Sequence, residues 1–333
     1  MTGGGTGGHV IPALAVAGEL RAMGHEVTFV GTRAGIEARL APAAGFPIVF
    51  VAAGALNRVG WARRLRTLAT LPFAVLRAMR IRAEAVFSMG GFAAGPMVLA
   101  AILRGTPVVA MEPNAVPGFT HRRAARWLAR VLVNFEETAR WFPEGRAERT
   151  GVPVRPEFFA AGDKTRGDEF VVLVTGGSQG SRTLSRAARE ARALAMPGVR
   201  ILLQAGRGNA REGEFEFIED MPAAFAGADL IVCRAGAATV AELAAAGRPA
   251  VLVPFPYAAD DHQARNAEAM AKAGAAVVVP DAEMTGERLA ALIAQFAGRP
   301  DELKRMGEAA RRLARPGAAR RAAEILVETA EKG

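Results

Sequence analysis

The feature that most constrains this chain is an alternation of short apolar runs with longer stretches of helical spacing, played through twice. The runs are "EVTFVG", "AEAVFSMGG", "TPVVAME" and "RVLVNF" in the first half, then "EFVVLVTGGSQGS", "VRILLQAG", "ADLIVCRAG", "RPAVLVPFP" and "AAVVVP" in the second. Apolar runs without polar alternation predict parallel strands buried on both faces. The stretches between them, such as "PALAVAGELRAMG", carry apolar residues at helical spacing and often end in glycine. Strand–helix units in two series predict an α/β protein of two Rossmann-like domains. Between them, "TGVPVRPEFFAAGDKTRGDE" is rich in Pro, Gly and charge and reads as a linker. The expected domains are therefore 1–160 and 161–315, with 316–333 a C-terminal helix packing back on the first. At 333 residues the chain is long enough for two separate cores.

The chain opens "MTGGGTGGHV". A Rossmann-like half begins with a strand of about five apolar residues, yet only Met1 and Thr2 precede Gly3. The expectation is a first strand lost or much shortened, by a start assigned too late or a clipped fragment, and a gap in the sheet there. Gly3, Gly5 and Gly8 match G-x-G-x-x-G, but a dinucleotide site also wants an acidic residue ending the second strand. Here "EVTFVGTR" brings Gly31 and Thr32, and His9 stands where a Walker A loop needs Lys. What remains is a backbone turn opening a helix, whose free N–H groups and dipole suit an anion. That dipole disfavours an imidazolium at His9 and leaves a neutral ring able to accept a proton. A helix-cap histidine without chemistry fits the position equally well. The strand–glycine–helix turn recurs in "SMGGFAAGP" (88–96), "TGGSQGSR" (175–182) and "CRAGAATVAELAAAG" (233–247). Four such turns are expected at the carboxyl ends of strands, lining one interdomain cleft.

Charge is divided unevenly. Residues 1–160 hold 19 Arg and no Lys against 10 Glu and no Asp, a net +9, whereas 161–333 balance 23 basic against 23 acidic residues. A basic half invites an anionic partner: nucleic acid, a phospholipid surface or a phosphorylated substrate. Arg-rich composition from a GC-rich genome is the alternative. One Tyr and no recognised reader motif argue against nucleic acid. The stretch 57–83 mixes Trp61, Leu68, Leu71, Phe73, Val75 and Leu76 with Arg63, Arg64, Arg66, Arg77, Arg80 and Arg82. Such a mixture suits an anionic bilayer surface, and equally a core helix with a solvated basic face. No apolar run approaches the ~20 residues of a membrane span, and the N-terminus lacks the pattern of a signal peptide. The single cysteine, Cys233, excludes an internal disulfide and a cysteine zinc cluster, and fits a reducing cytoplasm.

In order and spacing, "GTGGHVIPALAVAGEL", "MGGFAAGP", "GGSQGSR", "CRAGAATVAELAAAGRPAVLVPFP" and "DHQARNA" resemble the MurG family. These bacterial transferases add N-acetylglucosamine to a lipid-linked muramyl-pentapeptide, lipid I, to give lipid II. The resemblance runs from Gly3 to the final helix. It implies a GT-B fold of two Rossmann-like domains facing across a cleft, with the donor nucleotide in the second. It further implies an inverting hexosyltransferase of peptidoglycan synthesis, using UDP-GlcNAc and lipid I, peripheral on the cytoplasmic face of the inner membrane. The alternatives are another lipid-acting GT-B transferase, of the diacylglycerol glucosyltransferase type, and an inactive GT-B scaffold. UDP-sugar 2-epimerases share the fold but should carry further acid/base carboxylates.

The resemblance also implies roles for individual residues. Ser178 and Gln179 touch the diphosphate, Arg155 of "GVPVR" neighbours it, and Ile218 of "EFIEDM" meets uracil through its backbone. The helix opened by Ala237, Ala238, Thr239 and Val240 points its N-terminus at phosphate. Glu242 accepts hydrogen bonds from the ribose hydroxyls, and Gln263 and Asn266 hold the sugar hydroxyls. Thr6, Gly7, Gly8 and Asn114 complete the donor contacts. His9 is the candidate base, with Glu112 and Asn114 of "MEPN" as acceptor-side catalytic partners. Helix N-termini and Arg can stand in for a metal, and no D-x-D motif occurs, so no metal and no other cofactor are expected. Some positions depart from the family pattern. "MEPN" stands where "HEQN" is usual, so Met111 and Pro113 replace polar residues. Val152 replaces the Asn of "GNPVR", Phe92 a frequent Tyr, and Ser185 a frequent Asn.

Overall fold

A computed structural model describes the chain apart from residues 5–6, 55–59, 161–166, 178, 259–260 and 333, and apart from the side chains at 62–64, 66 and 68. Two compact units result, Met1–Val154 with Gly317–Gly333, and Arg155–Pro316. The divisions fall at 154/155 and 316/317, against the 160/161 and 315/316 expected from the sequence.

The first unit runs α1 (Gly7–Ala22), β1 (Phe29–Gly31), α2 (Glu37–Ala43), β2 (Ile48–Phe50), α3 (Trp61–Ala78), β3 (Val86–Ser88), α4 (Gly95–Arg104), β4 (Val108–Glu112), α5 (Phe119–Ala124), β5 (Arg130–Val133) and β6 (Ala147–Arg149). Strands β3-β4-β5-β6 form one parallel set and β1-β2 another. Successive residues of a strand face opposite ways, and each face has its own helices. Val86, Val108, Ala110, Val131 and Val133 pack with Val75 and Ala78 of α3 and Met97, Val98 and Ala101 of α4. Phe87, Val109, Met111 and Leu132 pack on the other side with Val16, Ala17 and Leu20 of α1. A chain buried this way on both faces must read as an unbroken apolar run, as "VVAM" does.

The expected gap in this sheet is filled. Thr2 pairs in parallel with both Val30 and Ser88, so the short opening segment lies between β1 and β3. Thr2 N donates to Phe87 O at 2.8 Å, Met89 N to Thr2 O at 2.8 Å and Val30 N to Met1 O at 2.8 Å. The Thr2 hydroxyl adds a bond to Val30 O at 3.2 Å. Met1 and Thr2 thus supply the central rungs of the ladder.

The second unit runs α6 (Pro156–Phe159), β7 (Phe170–Thr175), α7 (Arg182–Ala193), β8 (Val199–Gln204), α8 (Met221–Ala226), β9 (Leu230–Cys233), α9 (Ala237–Ala246), β10 (Ala250–Leu252), α10 (His262–Lys272), β11 (Ala276–Val278), α11 (Gly286–Ala297) and α12 (Pro300–Leu313). Its parallel sheet has the order β11-β10-β9-β7-β8. Val172, Val174, Leu203, Leu230 and Val232 pack against Leu184 and Ala188 of α7 and Leu292, Ile293 and Phe296 of α11. Part of the expected linker belongs to this unit. Phe158 is fully buried, its ring edge-on to Phe225 with centroids 5.2 Å apart. The chain then turns at Gly317, which has a left-handed φ of +76°, into α13 (Ala318–Glu331). This helix returns to the first unit: Ala322, Ala323, Ile325 and Leu326 join the α1 side of its core, and Arg321 holds Glu148 of β6 at 2.8 Å.

Proline has no N–H, so Thr2→Pro removes the bond to Phe87 O at the centre of the first sheet. Leaving a buried acceptor unmet costs about 1–3 kcal/mol. The loss is read as a lower midpoint in urea unfolding, and an unchanged midpoint would show that the opening segment contributes nothing to the sheet.

Candidate active site

Because all strands of each sheet run parallel, the turns that leave their carboxyl ends collect along one edge of that sheet. In the first unit this edge carries the opening turn, the "SMGG" turn after β3 and the "MEPN" segment after β4. Gly7, Gly8 and His9 lie in the first turn of α1; Thr6 lies outside the described residues. The His9 ring rests on the second turn: a Cβ at Gly91 would lie 3.5 Å from its Cε1 and Nδ1. Gly90 and Gly91 both have left-handed φ, +77° and +76°, a conformation that favours glycine.

Glu112 ends β4 and is 3% exposed. Its Oε1 accepts from Asn114 N and Nδ2, both at 3.2 Å, and its Oε2 accepts from Gly118 N at 3.0 Å. The same Oε2 is 2.9 Å from Nδ1 of His121, which is also buried. Burial alone would raise the Glu112 pKa, but the His121 hydrogen bond and charge and the Gly118 and Asn114 N–H groups outweigh it and hold it below the ordinary range. Nε2 of His121 is 3.1 Å from Ser88 Oγ, which accepts from Gly90 N at 3.1 Å. A carboxylate only accepts, so Nδ1 carries the proton that faces Glu112, and Nε2 shares the other hydrogen bond with the Ser88 hydroxyl. The arrangement satisfies every group in the chain Glu112–His121–Ser88–Gly90 and ties "MEPN" to the second glycine turn. Glu112 therefore faces inward with both oxygens engaged, an arrangement that suits holding a segment in place.

In the second unit the edge carries the turns after β7, β9 and β10. Gln179 is exposed in the first of these turns, and Ser178 lies outside the described residues. Beside it a cavity of 560 Å³ is lined by Gln179, Ser181, Arg182, Ser185, Arg186 and Arg189. The turn after β9 ends at Gly236, and Ala237, Ala238 and Thr239 open α9 with no acidic residue and no side-chain cap. Their N–H groups lack partners within the helix, and the three residues are partly exposed, whereas Val240 is buried. Glu242, on the same helix, has its pKa raised to about 7 by burial, opposed by the charge of Arg155. Arg155 itself is exposed, its guanidinium 5.2 Å from the Phe158 ring. Gln263 Oε1 accepts from Phe255 N at 2.9 Å. Asn266 is fully buried and donates to Ala235 O at 3.2 Å, beneath the turn before α9. Ile218 is partly buried between β8 and α8.

Sequence reasoning overlooked three residues. His121 stands among arginines in "HRRAARW", and nothing local shows that it reaches Ser88. Arg234 follows β9 and joins three segments: Ser181 Oγ at 2.7 Å, Asp281 Oδ1 at 2.5 Å, and the carbonyls of Val253 and Pro254 at 3.1 and 3.3 Å. Ser181 in turn caps α7 through Leu184 N at 3.3 Å. Glu37, 0% exposed, lies under the opening turn. The one signal for Arg234 was its place directly after a strand.

Comparison with known proteins agrees with this architecture. Residues 1–133 match the Glycosyltransferase family 28 N-terminal domain, and residues 171–323 the Glycosyltransferase family 28 C-terminal domain. A UDP-N-acetylglucosamine--N-acetylmuramyl-(pentapeptide) pyrophosphoryl-undecaprenol N-acetylglucosamine transferase of Solibacter usitatus is 57% identical over 99% of this chain and 95% of its own length. One of the same name from Myxococcus xanthus is 39% identical over 98% of this chain and 92% of its own. The crystal structure of Acinetobacter baumannii MurG superposes with a TM-score of 0.81 at 34% identity, covering 98% of each chain. The calicheamicin glycosyltransferase CalG4, at 17% identity and a TM-score of 0.70, shares the fold. With two parallel α/β units of the GT-B class and family 28 sequence in both, the chain belongs to the MurG family of glycosyltransferases.

Proposed function

We propose that this chain transfers N-acetylglucosamine from UDP-GlcNAc to lipid I, with inversion at the anomeric carbon, to make lipid II. The observation that carries this reading is 57% identity over 99% of the chain to a transferase of that name. The second unit takes the donor. The uncapped first turn of α9, Ala237–Thr239, suits the diphosphate, and Gln179 and Arg155 are its further contacts. Glu242 accepts the ribose hydroxyls, Ile218 meets the base, and Gln263 contacts the sugar. Asn266, buried under Ala235, holds the turn that leads into α9.

The first unit serves the acceptor. As the acceptor oxygen bonds to the anomeric carbon, the bond from that carbon to the diphosphate breaks, and UDP leaves with the electron pair. His9 takes the acceptor proton, and Gly7 and Gly8 present the first turn of α1. Glu112 acts as a positioning residue, through Asn114 and the segment to Gly118. A peripheral place on the cytoplasmic face of the membrane is supported by α3. Trp61, Leu65, Phe73 and Leu76 are 78%, 56%, 74% and 60% exposed on it, with Arg77, Arg80 and Arg82 exposed nearby. Leu71 and Val75, expected on that surface, pack into the core instead. The side chains at 63, 64, 66 and 68 lie outside the described residues, among which no helix is long and apolar enough to cross a membrane.

Radiolabelled UDP-GlcNAc and a lipid I analogue, with EDTA present, should yield labelled lipid II. His9→Ala should lower kcat by about 10²–10⁴-fold and leave the Kd for UDP unchanged. No labelled product from the wild type sinks the assigned reaction, and a near-normal kcat in the variant places the base elsewhere.

Glu242 sets the pH dependence of donor binding. Its carboxyl is protonated below about 7, while a ribose diol favours the carboxylate that accepts both hydroxyls. Donor affinity should therefore rise with pH through about 7, and Glu242→Gln should flatten the curve. Glu242→Ala should weaken the donor by about 1.5–3 kcal/mol, the worth of hydrogen bonds to a charged group. A flat wild-type curve would remove Glu242 from the ribose.

Phe73→Ser with Leu76→Ser should cut co-sedimentation with anionic phospholipid vesicles about tenfold or more, since each buried side chain contributes about 1.5–3 kcal/mol. Undiminished binding would mean that α3 does not meet the bilayer.

A further inference from the structure

The opening glycine turn has the form of an anion seat, and the structure shows an anion already beneath it. Glu37, the first residue of α2, is 0% exposed. Thr32 donates to its Oε1 twice, from the backbone N at 2.9 Å and the hydroxyl at 3.0 Å. Three glycines from three segments surround the side chain. A Cβ on Gly4 or Gly35 would run into the carboxylate, and one on Gly31 into Cγ and Oε1. None of the three has a positive φ, so their backbones would accept any residue. What requires glycine there is the space taken by the carboxylate.

The other side of the same turn is equally close. A Cβ on Gly91 would lie 3.3 Å from Gly4 O and 3.5 Å from the His9 ring. The turn is therefore held between Glu37 on one side and the second glycine turn on the other, directly ahead of the helix that carries His9. A carboxylate taken out of water costs several kcal/mol unless hydrogen bonds replace its hydration. Here the Thr32 N–H and hydroxyl both converge on Oε1.

We propose that the inner face of the opening turn is filled by the protein's own carboxylate, Glu37, which acts as a positioning residue for the turn and for His9. The Glu37 side of Gly4 is then not a seat for a substrate anion. The link to His9 rests on the transfer reaction proposed above, but the internal seat does not.

The experiment uses the full chain and two independent readouts. The first is a stability cycle. Gly35→Ala should lower the unfolding midpoint in the wild type and have no further effect in Glu37→Ala, because the carboxylate it collides with is gone. Additive losses overturn the internal seat. The second is activity. Glu37→Ala should lose about tenfold or more in kcat, the scale of a misplaced catalytic group, with an unchanged Kd for UDP. Sodium formate, against equal sodium chloride, should restore part of that loss and leave the wild type unaffected. A kcat within twofold of wild type, or a loss that formate does not relieve, overturns the positioning role. If Glu37→Ala does not fold, Glu37→Gln keeps the volume and an oxygen for Thr32 but loses the charge and puts NH2 in place of Oε2, and should lose kcat with UDP binding intact; unchanged kcat there is equally fatal. A wild type without turnover sinks the transfer reaction and leaves the stability cycle to decide the seat.

Discussion

The backbone hydrogen bonds that Met1 and Thr2 make to β1 on one side and β3 on the other carry the first sheet across what would otherwise be a seam. A parallel ladder places every outgoing turn at the same edge, so this opening segment decides where the opening turn, His9 and Gly91 stand relative to β4 and its "MEPN" segment. Two residues suffice because their neighbours are rigid. Phe87 and Met89 are packed beneath α1 and α13, and Met1 and Thr2 meet backbone groups already in position.

Three buried or partly buried carboxylates divide the chemistry by the company they keep. Glu112 is surrounded by N–H donors and a histidine and stays ionised, facing inward. Glu37 is enclosed by glycine backbone and Thr32. For Glu242 burial outweighs the opposing charge of Arg155, and its proton is held until about pH 7. The first two have their donors in place. Among the described residues the third has no such donors, which fits the ribose contact proposed for it.

How much of this was legible in the sequence depends on the range of the interactions. Strands such as β4 and β7 were readable because burial on both faces writes itself as an unbroken apolar run. β6, Ala147–Arg149, escaped because it is a half-exposed edge with polar residues, including the Glu148 that meets Arg321. On α3 the composition was read correctly as mixed, but sequence alone could not say that Val75 turns inward while Phe73 turns out. The glycine turns announced both candidate edges. The bonds that hold those edges did not: Ser88 meets His121 across 33 residues, and Thr183 meets Asp281 across 98. Glu37 sat in "GTRAGIEARL" as an ordinary acid at a helix start, and the glycines around it gained their meaning only from the packing.

Arg234 has a wider consequence. By joining Ser181, Val253, Pro254 and Asp281, it braces the donor-side turns entirely from within Arg155–Pro316, just as His121 braces the other set from within the first unit. Each set of turns keeps its shape from its own unit's contacts. A substitution in one unit then leaves the bracing of the other unit's turns intact. In a fold that the calicheamicin glycosyltransferase CalG4 shares at 17% identity, each unit can therefore vary while the other's turns stay braced.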